Sequence, residues 1–326
     1  MKKIIFPLII ALFILIYFMG PNLYRGHLDL VLPVIDVDIN NVEKYVATYE
    51  ANFDIKKNNE SVILWADSVS RPTEYVLLYL HGFTASRYEG YPITHDFVKE
   101  FKTNAYLPRL YGHGLNTDNA LRDMTPDALY DSAKESLIIA SKLGNKVVIM
   151  GTSTGCTLAL MLAADYPKLV DALILYSPNI AINNIAAPLL SYPWGLELSR
   201  LVHRGKYCTT ADVNGDGKYW YLSYRLEAQV YLQQLLDARM KREEFKSVKQ
   251  PTFVGYYYKD KYNQDETVSV NAIRRMYRQL GTPVEQKVAK AFPDAGDHVI
   301  ACELKSNSIE AVRDSTFSFV RDVLKL

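Results

Sequence analysis

From Ser61 to Leu324, short β-branched and aromatic runs alternate with longer segments of helical pattern, and this alternation restricts the fold more than any other feature. A strand, a helix and a second parallel strand must cross over one face of a sheet. The pattern therefore demands a doubly wound α/β architecture, a mostly parallel sheet covered on both faces. The strand candidates are 61–66, 74–80, 104–110, 146–150, 172–176, 252–258 and 285–292; the helix candidates are 41–52, 126–143, 154–166, 268–280 and 308–324. Thr125-Pro126 offers an N-cap followed by proline at the first helical position, and Gly144 ends that helix. The Ser-Arg-Pro between the first two runs predicts a hairpin. Residues 179–250 break the alternation and are rich in helix formers and aromatics, so they read as a helical cap inserted between two sheet strands. The chain then divides into 1–20, a core segment 21–178, the cap 179–250, and a second core segment 251–326.

The first twenty residues have a different character. Met1-Lys2-Lys3 precedes an apolar run from Ile4 to Met19, interrupted by Pro7. Its sixteen residues would span ~24 Å as a helix, against a hydrocarbon core of ~30 Å. No small-residue cleavage site follows it. The segment reads as an uncleaved membrane anchor, with a cleaved export signal as the alternative. The lysines predict the start inside and the body of the protein outside the cytoplasm. Export would permit Cys208 to pair with Cys302, which the sequence alone leaves open.

Lys+Arg is 37 against Asp+Glu 36, a net charge of +1, so there is no cationic excess to neutralise phosphates and no nucleic-acid partner is expected. The three cysteines fit neither a disulfide scaffold nor a zinc site. Asp212 to Gly217 resembles the start of a calcium loop, but position twelve would be Ser223, where a bidentate glutamate is needed. No metal is expected.

The chemistry concentrates at Gly151-Thr152-Ser153-Thr154-Gly155, which follows an apolar strand and opens a helix. A sharp strand-to-helix turn strains the central residue and leaves the Ser153 hydroxyl free at the positive end of the helix. A serine needs a base. Of six histidines, His298 alone lies after the last predicted strand, where loops at strand C-termini converge. The base needs an acid to hold its tautomer. Asp265 is favoured, with Asp260 closer to the strand end as the alternative. Backbone N–H groups of Phe83, in Tyr79-Leu80-His81-Gly82-Phe83-Thr84, and of Thr154 are placed to hold an oxyanion. His81 and His113 read as structural loop residues, and Cys156 as a small buried hydrophobe. Tyr219, Trp220, Tyr221 and Tyr224 are candidates for an apolar groove or for cap packing.

Together, His-Gly-Phe-Thr at 81–84, Leu107-Pro108-Arg109-Leu110 with Gly112-His113-Gly114, the elbow at 151–155, Asp265-Glu266-Thr267-Val268 and Gly296-Asp297-His298-Val299 resemble the α/β-hydrolase superfamily, above all bacterial carboxylesterases and monoacylglycerol lipases. The resemblance covers Tyr75 to Leu324 with the motifs in the family's order. It implies an eight-stranded sheet with a cap over a Ser153–Asp265–His298 triad, no cofactor, and hydrolysis of carboxylic esters, acylglycerols among them, through an acyl-enzyme. A peptidase or acyltransferase on the same scaffold, or a catalytically retired binding protein, are the rival readings.

Overall fold

Successive residues of strand β2 (Thr73–Leu80) feed two separate cores. Val76, Leu78 and Leu80 pack into one, Leu77 and Tyr79 into the other, and all five are fully buried. Strands β4 (Gly144–Thr152) and β5 (Ala172–Tyr176) divide their side chains in the same way. A strand buried on both faces has no reason to alternate polar and apolar residues, which is why these segments read as continuous apolar runs. Each buried aliphatic side chain contributes about 1.5–3 kcal/mol. One core is closed by helices α3 (Pro126–Leu143), α4 (Thr154–Asp165) and α8 (Val270–Gln279). The other is closed by α2 (Ile93–Phe101) and α9 (Ile309–Phe319). Helix α1 (Val42–Glu50) adds Val42 and Val46 to the first. The computed structural model describes residues 12, 14–21, 23, 26–212 and 215–326.

Among the described residues the sheet has seven strands in the order β1-β3-β2-β4-β5-β8-β9. Strands β3 (Asn104–Leu107), β8 (Thr252–Tyr256) and β9 (Lys287–Ala291) run parallel to β2, β4 and β5, while β1 (Val62–Leu64) is antiparallel. The count is one fewer than the eight expected. The segment ahead of β1 is made of turns and an isolated bridge from Ile55 to Leu115, and adds no strand among the described residues. The hairpin expected from 61–66 and 74–80 does not form either. Helix α2 carries the chain back so that β3 takes the edge of β2, and β1 then covers β3, with Val62 opposite Leu107 and Leu64 opposite Ala105.

Strand order reverses at the β2–β4 pair: β3 lies to one side and β5 to the other. Loops leaving the carboxyl ends of β2 and β4 therefore diverge around a crevice, the position at which open α/β sheets bind ligands. The segment between β5 and β8 stands over that edge. It contains α5 (Gly195–Val202), a two-stranded ribbon of β6 (Tyr207–Thr209) and β7 (Ser223–Arg225), α6 (Glu227–Arg239) and α7 (Arg242–Ser247). It is pinned to the body. Arg239 pairs with Asp165 at 2.7 Å, and the Tyr221 hydroxyl accepts from Leu115 N–H at 2.6 Å and donates to Gly112 C=O at 3.1 Å.

Most of the apolar N-terminal run, residues 1–11 and 13, lies outside the described residues, as do Val213 and Asn214 of the calcium-like loop. Among the described residues no helix is long and apolar enough to cross a membrane. Residues 14–18 are helical and exposed. The Trp194 indole donates to Ile16 C=O at 2.9 Å, and Trp194 N–H donates to Pro21 C=O at 3.2 Å. Cys156, Cys208 and Cys302 are free, so the Cys208–Cys302 pairing that export would allow is not formed.

Helix α3 begins as its sequence signals: Thr125 Oγ1 accepts from Ala128 N–H at 3.2 Å, with Pro126 next. Thr125→Ala leaves that N–H unsatisfied and should lower the unfolding free energy by about 1 kcal/mol in a urea titration. An unchanged midpoint and slope would show that the cap contributes nothing.

Candidate active site

Ser153 sits between β4 and α4 with φ +54° and ψ −115°, a strained conformation for a residue with a side chain. Its N–H is held by Tyr176 C=O at 2.9 Å, and its own C=O accepts from Cys156 N–H at 3.0 Å. Gly155 is a necessity of the turn, because a Cβ there would stand 1.8 Å from Leu80 C=O. The first turn of α4 is thus pressed against the end of β2. Thr154, at N1, has its N–H among those without an intrahelical acceptor. Cys156 is fully buried, its Sγ donates to Gly151 C=O at 3.0 Å, and burial pushes its thiol pKa well up, which keeps it an inert thiol.

The loop after β8 separates its two candidate acids. Asp260 is spent on its own turn, accepting from Tyr262 N–H at 2.8 Å and Asn263 N–H at 2.9 Å. Asp265 is buried, 1% exposed. Its Oδ1 accepts from Thr267 N–H and Val268 N–H at 2.9 Å each, and its Oδ2 accepts from His298 Nδ1–H at 2.6 Å. With Nδ1 committed as donor, the neutral ring carries its free lone pair on Nε2. Burial alone would lower the His298 pKa, but the charge and hydrogen bond of Asp265 outweigh it and hold the imidazole above its ordinary 6.5.

At the end of β2, His81 is locked as a neutral ring. Its Nδ1 donates to Gly82 C=O at 3.0 Å, Nε2 accepts from Leu110 N–H at 3.1 Å, and burial brings its pKa down to about 4. The His113 ring stands edge-on to it at 4.8 Å and donates to Tyr111 C=O at 2.9 Å. Arg109 pairs in the interior with Glu50 at 2.9 Å and donates to His113 C=O at 3.1 Å. The side chains of these motif residues brace loops. The following turn is gripped by the inserted segment: Thr84 C=O accepts from Tyr221 N–H at 2.8 Å, and the Phe83 ring meets Tyr224 edge-to-face at 5.1 Å.

Ser153, His298 and Phe83 line one cavity of about 760 Å³, walled across from them by Leu190, Leu198 and Leu232. Trp220, Tyr221 and Tyr224 share the wall, whereas Tyr219 stacks on Tyr88 at 3.9 Å. A second cavity of about 330 Å³ beside Tyr49 and Arg109 holds none of the predicted site residues. The sequence reading missed Glu89, a buried carboxyl on the wall beside Ser153. The available signal was an acid followed by Gly90 shortly after the Gly82 turn, too common a pair to stand out.

A strained serine at a strand-to-helix turn, an aspartate-held histidine and a parallel sheet with an inserted segment define an α/β-hydrolase architecture. The chain belongs to the alpha/beta hydrolase family, whose profile matches residues 77–303. Among solved structures it is similar to the metagenome-derived lipolytic enzymes LipS and LipT (15% identity, 82% of this chain and 99% of that one, TM-score 0.67). It is also similar to a monoacylglycerol lipase of Paleococcus ferrophilus (12%, 80% and 97%, TM-score 0.57) and to a thermophilic esterase of Thermogutta terrifontis (18%, 82% and 97%, TM-score 0.54). At these identities the likeness is one of fold. No curated protein matches the sequence.

The two histidine environments predict opposite titrations. In an NMR pH titration the His298 ring should protonate above pH 6.5, while the His81 ring stays neutral until about pH 4. His81 charging first would contradict the hydrogen-bond assignment.

Proposed function

We propose that this protein is a serine hydrolase of carboxylic esters. The observation that carries the reading is the 2.6 Å bond from His298 to Asp265 at the edge of the cavity that Ser153 also lines. In this reading, His298 Nε2 takes the proton from the Ser153 hydroxyl as the oxygen attacks the ester carbonyl. Asp265 fixes the ring and stabilises the imidazolium. The N–H groups of Phe83 and Thr154 receive the negative oxygen of the tetrahedral intermediate. His298 then gives its proton to the departing alcohol. A water deprotonated by the same nitrogen releases the acid and restores Ser153.

The leucines on the cavity wall favour an apolar acyl chain, and acylglycerols are the proposed substrates. Lipolytic and monoacylglycerol-lipase neighbours of the same fold are in keeping with this. The membrane tether is part of the proposal. Residues 1–20 would hold the body outside the cytoplasm, and α5 offers Leu198, Leu201 and Val202 to the surroundings at 50%, 75% and 77% exposure.

Ser153→Ala should lower kcat on a short nitrophenyl ester by roughly 10⁴-fold or more, and Asp265→Asn by about 10³- to 10⁴-fold. In the wild type, kcat/KM should fall as pH drops through the raised pKa of His298, because the protonated ring cannot act as base. Wild-type turnover by Ser153→Ala would overturn the reading. For the tether, the full chain should sediment with membranes and residues 21–326 should not.

A further inference from the structure

Glu89 lines the cavity and bonds the turn that starts at Gly82. It lies in the 3-10 turn Arg87–Gly90 and is 2% exposed. Its Oε2 accepts from Gly82 N–H at 2.5 Å and lies 3.5 Å from the Tyr79 hydroxyl. That hydroxyl shares a 3.0 Å bond with Thr152 Oγ1, next to Ser153 in the chain. Room for the carboxyl exists because residue 82 has no side chain: a Cβ there would stand 2.9 Å from Glu89 Oε1 and 3.2 Å from Ser153 Cβ. One carboxyl therefore touches the peptide before Phe83 and, through Tyr79, the strand end before Ser153.

We propose, building on the serine-hydrolase reading, that Glu89 is a positioning residue for the oxyanion hole: by holding Gly82 N–H it fixes the turn that presents Phe83 N–H to the substrate oxygen. Glycine is the residue whose backbone is freest to rotate, so an unheld Gly82 would let the neighbouring donor swing. A preorganised donor aimed at developing charge is worth far more than one that must be ordered during the reaction. The carboxyl also acts by its charge. A carboxylate beside the site favours the imidazolium form of His298 and opposes the oxyanion. Burial raises the Glu89 pKa to about 7, against the lowering effect of Gly82 N–H, so near neutrality much of the population carries a proton and opposes the oxyanion less. The titratable groups that face it are Tyr79 from β2, Cys156 from α4, His298 from the loop after β9, and Cys302 ahead of α9; Trp220 of the inserted segment lines the same cavity.

The test compares Glu89→Ala and Glu89→Gln with wild type on a nitrophenyl ester from pH 5 to 9, with circular dichroism and thermal melts as the folding control. Glu89→Ala should lose kcat by roughly 100-fold with KM within about threefold, the size expected for a misplaced oxyanion donor. Glu89→Gln keeps a carbonyl acceptor for Gly82 N–H and should recover to within about tenfold of wild type. Its acid limb of kcat/KM should move to lower pH, because removing a nearby negative charge lowers the His298 pKa. Wild-type kcat in Glu89→Ala would overturn the proposal. So would a folded Glu89→Gln protein with an unmoved pH profile, or one as inactive as Glu89→Ala. Wild-type turnover by Ser153→Ala would instead refute the serine-hydrolase reading, which separates the two failures.

Discussion

The Leu80 carbonyl leaves no space for a side chain at residue 155, and this close approach sets the geometry of the site. It brings the first turn of α4 against the end of β2. The strained Ser153 and the His81–Thr84 turn are consequently neighbours, although they leave different strands. The parallel register supplies the same adjacency from beneath: Leu80 pairs with Gly151, and Thr152 with Tyr176. The strain at Ser153, of order 1–3 kcal/mol, persists because both flanking elements lie within the two buried cores.

Around this backbone frame the polar groups are divided with little redundancy. One oxygen of Asp265 serves two backbone N–H groups and the other serves His298, so the carboxylate is oriented by its own loop before it holds the imidazole. His81 and His113 are neutralised by burial and backbone partners, whereas His298, on the cavity wall, has its pKa held above its ordinary value. Burial drives the histidines down and Glu89 up, while a charged partner drives His298 the other way.

The elements of the sheet are legible wherever a strand is buried on both faces: the apolar run 172–176 coincides with β5, and the Thr125 and Gly144 signals coincide with the ends of α3. Pairing was not legible. The Ser-Arg-Pro link looks like a turn, but whether β1 meets β2 or β3 depends on the side to which α2 returns the chain, which no local signal encodes. Asp260 and Asp265 both sit in the same loop, and only the folded turn shows that Asn263 and Tyr262 occupy the first. Glu89 escaped notice because its burial comes from tertiary packing under the turn at Gly82, without a helical or strand period to announce it.

The central claim is that Ser153 is a nucleophile activated by the Asp265-held His298. A fluorophosphonate probe with peptide mapping tests it most directly, since the phosphorus is attacked only by an activated hydroxyl. The account predicts a single phosphonylated residue, Ser153, in wild type, and greatly slowed labelling in His298→Ala. A folded protein that resists the probe, or that carries the label on another residue, would contradict it.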